Sequence, residues 1–194
     1  MSIDKFQNFY RVDSVRAKWH DYDGGTYFVT ICTYNRERFF GDIVEVDGSN
    51  QLLLSEIGRY ACKTIEEASK HNPYVVIPSF VVMPNHIHLI AVVDMSLVET
   101  VHAPSQTNTV QTNRWKNKVV DEKMQAISKR KNKLSFLVGS IKSNITRYAN
   151  QKGIEFAWQS RFYDHIVRNI DELNNIAAYV ENNVANWHED ILHG

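Results

Sequence analysis

The stretch PSFVVMPNHIHLIAVV sets two imidazoles, His86 and His88, two residues apart in a run rich in strand-forming residues. Successive strand side chains point to opposite faces, so both rings project to one side and Ile87 points the other way, into apolar packing. Two imidazoles on one face can grip a single divalent cation. The same spacing also suits a pair of half-buried strand histidines, each holding a hydrogen bond. Near the C-terminus, AAYVENNVANW places Tyr179 and Asn183 four residues apart. On a helix they share a face, one turn apart. The Asn183 amide oxygen could complete a metal site with the Tyr179 phenol beside it. The plainer alternative is an amphipathic core tyrosine and a capping or surface asparagine. A third stretch, WQSRFYDHIVRN, mixes Trp158, Gln159, Arg161, Phe162, Asp164, His165 and Arg168. Aromatics stack on unpaired bases and arginines bind phosphates, but a short edge strand with aromatic anchors has the same composition.

These residues need elements to position them. Thr26 to Tyr34 (TYFVTICTY) is β-branched and aromatic and reads as a buried strand. Asp47-Gly48 between short apolar pieces predicts a hairpin within Phe39 to Leu54. Ile57, Tyr60, Ala61, Thr64, Ile65 and Ala68 give one face of a helix over Ser55 to His71, stopped by Asn72-Pro73. Tyr74 to Val82 and His86 to Val93 are two strands, with Pro84 in the turn between them because it cannot donate to a ladder. Leu134 to Gln151 resumes helical spacing and Gly153 stops it. Phe162 to Val167 is a short strand, and Asp171 to Trp187 a last helix capped by Asp171 or Asn169. The order matches the split pattern of a ferredoxin-like α+β fold. The expected architecture is an antiparallel sheet with helices mainly on one face and an extra C-terminal helix carrying Tyr179.

A chain of 194 residues, 43% hydrophobic and 23% charged, is expected to form one globular domain over 1–194. Its apolar runs are too short to span a membrane, its N-terminus lacks a signal pattern, and two cysteines do not make a disulfide framework. A cytoplasmic protein with no membrane partner is the expectation. The net charge of zero hides an asymmetry: residues 1–113 hold 9 basic and 13 acidic side chains, 114–169 hold 13 and 4, and 170–194 hold 0 and 5. Much of the basic excess lies in a polar insertion at about 94–133, where Trp115 is a candidate for stacking. A basic middle on an acidic body points toward a polyanion such as nucleic acid.

Four blocks in order, VVMPNHIHLI, GSIKSNITRY, WQSRFYDHIVRN and DELNNIAAYVENN, resemble the single-tyrosine HUH transposases, most of all the REP-associated tyrosine transposases. The similarity runs from about Gly25 to Trp187, outside the insertion. It implies that His86 and His88 are paired metal ligands, that Tyr179, ten residues after Asn169, is the nucleophile, and that Asn183 is the third ligand. Val184 follows where the family often has proline. The implied activity is metal-dependent nicking and strand transfer on single-stranded or hairpin DNA through a 5′-phosphotyrosine, with Mg2+ or Mn2+. A phenol of pKa about 10 needs activation at neutral pH, and a divalent cation can neutralise the phosphate under attack. Lys142, Arg147, Arg161, Arg168, Trp158 and Gln159 are the expected DNA contacts. Relatives include monomers and homodimers, and both states are open here. Three competing readings are a domesticated repeat-hairpin DNA-binding protein without cleavage, a small metal phosphoesterase that uses water, and an enzyme with Tyr163 as nucleophile.

Overall fold

The computed structural model describes residues 24–94, 96, 133–190 and 192, with the backbone of 5–6 and 9–10. Apart from Asp94, Ser96 and Lys133, the basic insertion expected at 94–133 lies outside the described residues, Trp115 included. Strands β1 (Lys5–Phe6) and β2 (Phe9–Tyr10) pair with each other. Strand β3 (Gly25–Cys32) is followed by the hairpin β4 (Gly41–Val46) and β5 (Ser49–Leu54). Asp47 and Gly48 at its tip both take positive φ, 52° and 74°, as a tight two-residue hairpin turn requires. Next come helices α1 (Glu56–Glu66) and α2 (Ala68–His71), then strands β6 (Val75–Val82) and β7 (His86–Val93). The chain closes with helix α3 (Lys133–Lys152), strand β8 (Tyr163–Val167) and helix α4 (Ile170–Asn182).

The main sheet is antiparallel throughout, in the order β6-β7-β3-β8. This is the ferredoxin-like arrangement expected from the element order, and it puts β7 and β3 in the middle. Pro78 lies in β6, an edge strand, next to a register shift between Val76 and Ser79. A proline is tolerated at an edge or bulge for lack of an N–H to give.

The two faces of the sheet serve different ends. Tyr27, Val29 and Ile31 of β3 and Ile87, Leu89, Ala91 and Val93 of β7 are buried together with Ile57, Ala61 and Ile65 of α1 and Leu134, Leu137, Ile141 and Ile145 of α3. Each Val, Leu or Ile among them contributes roughly 1.5–3 kcal/mol. On the opposite face, α4 packs across β6 and β7, and Val180 is its buried apolar residue.

Local chemistry sets the helix ends. The Ser55 hydroxyl caps α1 by accepting from the Gly58 N–H (3.0 Å). Gly153 (φ 67°) ends α3, with its N–H on the Asn150 carbonyl and the Ile154 N–H on that of Ala149. Three expectations need correction. The helix expected over Ser55 to His71 breaks at Glu67 into α1 and α2. The first strand ends at Cys32, because Tyr34–Arg36 forms a short 3₁₀ turn. The last helix ends at Asn182 rather than Trp187, since the chain turns after Asn183 and re-enters as a 3₁₀ turn at Trp187–Glu189. Apolar spacing alone could not show that turn, because Val184 and Trp187 stay in helical phase.

Gly58 of α1 packs against the residue before β4, and a Cβ there would collide with the Phe40 backbone carbonyl. Gly→Ala in a helix normally stabilises by up to about 1 kcal/mol. Here the sign should reverse: Gly58→Ala is expected to destabilise by roughly 1–3 kcal/mol, seen as a lower midpoint in urea unfolding.

Candidate active site

The alternation of β7 delivers its two histidines to the α4 face of the sheet. His86 is fully buried and His88 is 2% exposed. The register pairs His88 with Thr30 and His86 with Cys32 on β3. Thr30 Oγ1 lies 2.8 Å from His88 Nδ1. The Thr30 hydroxyl can accept from an Nδ1–H, which leaves the His88 Nε2 lone pair facing inward. Phe28, two residues back on the same face, stacks on the His88 ring at 5.1 Å.

The orientation of His86 is fixed by Asn85, in the turn before β7. Asn85 Nδ2 donates to the Leu192 carbonyl (2.9 Å), so its Oδ1 faces His86 Nδ1 at 2.7 Å and accepts from it. Nδ1 therefore carries the proton and Nε2 carries the lone pair. That Nε2 is buried and has no hydrogen-bond partner. Metal-binding histidines are commonly held in this way, through the ring nitrogen that does not bind the metal.

Helix α4 brings the phenol and the amide. Asn169 caps it by accepting from the Glu172 N–H (2.8 Å). The Glu172 carboxylate accepts from the Arg168 N–H (2.7 Å) and meets His165 Nε2 of β8 at 2.6 Å. This clasp ties the start of α4 to the strand beside it. Two turns on, Tyr179 Oη lies 3.2 Å from His88 Nε2. One turn further, Asn183 is 2% exposed, and its Oδ1 is the second buried side-chain atom without a hydrogen-bond partner.

The turn after α4 adds a residue that the sequence did not single out. Trp187, buried, stacks over His86 at 6.1 Å, and the chain returns Asp190 to the site. Asp190 Oδ1 accepts from the Leu192 N–H (2.7 Å). Its Oδ2 accepts from Asn183 Nδ2 (3.1 Å) and from Tyr179 Oη (3.5 Å), and lies 3.5 Å from His86 Nε2. Potential ligand atoms of His86, His88 and Asp190 lie within 4.8 Å of one another. Two imidazoles, a carboxylate and an amide oxygen form a mixed nitrogen–oxygen donor set of the kind Mn2+ accepts and Mg2+ tolerates less readily. The orphaned His86 Nε2 and Asn183 Oδ1 are what such a cation would satisfy, so the residues fit a divalent metal.

Electrostatics point the same way. Burial lowers the pKa of His86 to about 2, helped by His88 and Arg36, and that of His88 to about 4, against the opposing pull of Asp190. Both imidazoles are neutral at physiological pH, the form that binds metal. Burial and the Asp190 charge push the Tyr179 phenol above its ordinary value. Without a cation, the site holds its phenol protonated.

The remaining expected contacts are spread more widely. Gln159 lines the cleft with His88, Tyr179 and Asp190, and Arg168 lines a groove beside it. Lys142 is half-buried, and its Nζ donates to the carbonyls of Gln159 and Arg161 (2.8 Å each). Burial lowers its pKa to about 8. Trp158 Nε1 donates to Thr146 Oγ1 (3.1 Å) and the Lys142 carbonyl (3.2 Å). Lys142 and Trp158 thus hold the loop that presents Gln159 and Arg161, whose φ is 71°. Arg147 is exposed on α3, in a separate shallow hollow. Arg36, which sequence reasoning passed over, lines the cleft from a turn where both Asn35 and Arg36 have positive φ. A strained pair of this kind beside a cleft is the one signal that marks it, and it is visible only in the backbone.

Two outcomes follow. The unfolded chain takes up protons on these histidines near pH 6.5 and the folded chain only near 4 and below. Stability of the metal-free protein is therefore complete above pH 6.5 and falls as pH drops from there toward 4. A thermal-melt series in EDTA should show this fall, flattened in His88→Ala. Removing the partner of His86 Nδ1 with Asn85→Ala should weaken Mn2+ binding roughly 10–100-fold in calorimetry.

No family model matches the chain. Over 182 residues it is 30% identical to an uncharacterized protein of Haemophilus influenzae, a match covering 93% of this chain and 92% of that relative. Among solved structures it is similar to a REP-associated tyrosine transposase bound to a REP hairpin, with a TM-score of 0.50 and 17% identity over 89% of this chain and 72% of that one. The chain belongs to one family with the Haemophilus influenzae protein and has the fold of the REP-associated tyrosine transposase.

Proposed function

We propose that this protein is a metal-dependent enzyme that nicks single-stranded or hairpin DNA and transfers the strand through a 5′-phosphotyrosine on Tyr179. The observation that carries the reading is the Tyr179 hydroxyl at 3.2 Å from His88 Nε2, beside two buried donor atoms, His86 Nε2 and Asn183 Oδ1, that lack hydrogen-bond partners. His86, His88 and Asn183 would hold Mg2+ or Mn2+, with Asp190 as an additional oxygen donor or as the group orienting Asn183. A bound cation supplies charge neutralisation at the scissile phosphate and offsets the charge of Asp190.

The chain's own residues do the rest. The Tyr179 oxygen attacks phosphorus in line and gives up its proton, the P–O3′ bond breaks, and a proton returns to the departing 3′-oxygen, which leaves as a hydroxyl. The phenol proton has Asp190 Oδ2 as its nearest carboxylate, at 3.5 Å. A later 3′-hydroxyl reverses the step and restores the phenol, so cleavage and joining are one chemistry and need no ATP. Arg161, Arg168 and Gln159 contact the strand near the cleft, with Lys142 and Trp158 shaping that rim. Arg147 lies farther out along α3, where it would meet phosphates distant from the cut. Affinity carried by such contacts falls with salt.

The test is a denaturing gel of protein mixed with labelled single strands carrying the hairpins that flank its own gene, with Mn2+ or Mg2+. Wild type should give a covalent adduct, lost to background in Tyr179→Phe and His86→Ala and kept in Tyr163→Phe. Cleavage that survives Tyr179→Phe would identify water as the nucleophile. Hairpin binding with no adduct under either metal would identify a binding module.

A further inference from the structure

The Tyr179 hydroxyl stands on a sill between two hollows. One, of about 710 Å3, is the cleft that contains His88 and Asp190. The other, of about 750 Å3, is a groove along the first two turns of α4. Both lie within the roughly 300–1,000 Å3 usual for small-ligand sites. Phe28, Tyr163 and Tyr179 line both. A strand with one phosphate at Tyr179 Oη leaves that point in two directions, and Tyr179 borders both hollows.

The chemistry of the groove suits a nucleotide. Its side on β8 carries Tyr163, which pairs with Thr30 across the sheet, faces the active site and is 57% exposed. Ile166 of β8 packs against the core, whereas the Tyr163 ring lines the groove together with Tyr179, itself 41% exposed. Ile176 adds an apolar wall, Asn175 an amide and Arg168 a cation. Two acidic groups also line it, Asp171 and Glu172 in the first turn of α4. The Glu172 carboxylate is already engaged by His165 and the Arg168 N–H, so its charge is not left bare toward an entering phosphate.

We propose that this groove binds the nucleotide next to the cleaved phosphate, with its base stacked on the Tyr163 ring and its phosphate on Arg168. The inference rests on the DNA-processing reading above and adds a base-stacking residue to it. Tyr163 then acts through its aromatic face, and its hydroxyl is dispensable. Because every base has a π-face, the contact tolerates any sequence.

The test separates stacking from folding and from chemistry. In a Tyr179→Phe background with EDTA, fluorescence anisotropy measures binding of a labelled oligothymidylate. A matched abasic strand, with the same phosphates and no bases, is measured beside it. Tyr163→Ala should weaken oligothymidylate binding roughly 5- to 150-fold and leave the abasic strand unchanged, while Tyr163→Phe restores the affinity. Arg168→Gln should weaken both strands alike and lower the salt slope by about 0.7. Equal losses on both strands in Tyr163→Ala, or none on either, would overturn the proposal. Base-dependent binding through Tyr163 by a protein whose wild type forms no adduct supports this site while sinking the cleavage reading. An adduct from wild type with no base-dependent loss in Tyr163→Ala does the reverse.

Discussion

The site depends on the two-residue period of one strand. β7 is central, so both its faces are covered, and each residue commits to one face or the other. Ile87, Leu89, Ala91 and Val93 lock that choice by filling the core with α1 and α3. The histidines have no freedom left. A one-residue slip would turn two imidazoles into the hydrocarbon core and four apolar side chains toward the site. Packing on one face therefore fixes chemistry on the other, and the β3 register adds Thr30 and Phe28 to the same constellation.

Burial that precise carries an electrostatic cost which the site turns to use. Two neutral imidazoles, a carboxylate and an amide are gathered away from water, and two of their atoms lack hydrogen-bond partners. Orphaned buried polar atoms are rare in folded proteins because each costs about 1–3 kcal/mol. A cation would relieve both at once. Burial, and after it the charge of Asp190, pushes the Tyr179 phenol upward. Asp190 thus belongs both to the group that could hold a cation and to the surroundings of the phenol.

Much of this was legible in the sequence, for identifiable reasons. His86 and His88 share a face because strands alternate, and Tyr179 and Asn183 share one because helices repeat near four. The element order gave the sheet, since apolar spacing is a local signal. Asp190 was not legible. It reaches the site through a reversal after Asn183, stabilised by Trp187 on His86 and by Asn85 on Leu192, and those contacts are distant in the chain. Lys142 reads as a phosphate contact because it sits on the helix nearer the core fold. That its Nζ also donates to carbonyls 17 and 19 residues away lies beyond any local pattern. The position of Tyr163 at the junction of two hollows likewise depends on where α4 settles, which no property of β8 specifies.

Pro78 and the bulge beside it have a consequence for how copies of this protein meet. An open sheet edge offers a row of backbone donors and acceptors onto which another chain can add. On β6 that row is interrupted near the middle by a residue with no N–H and a shift in register. Strand-by-strand growth from this edge, the route toward fibrous aggregates, is hindered there by covalent structure. Copies of the protein brought close together are thereby less prone to use this side of the sheet as a template.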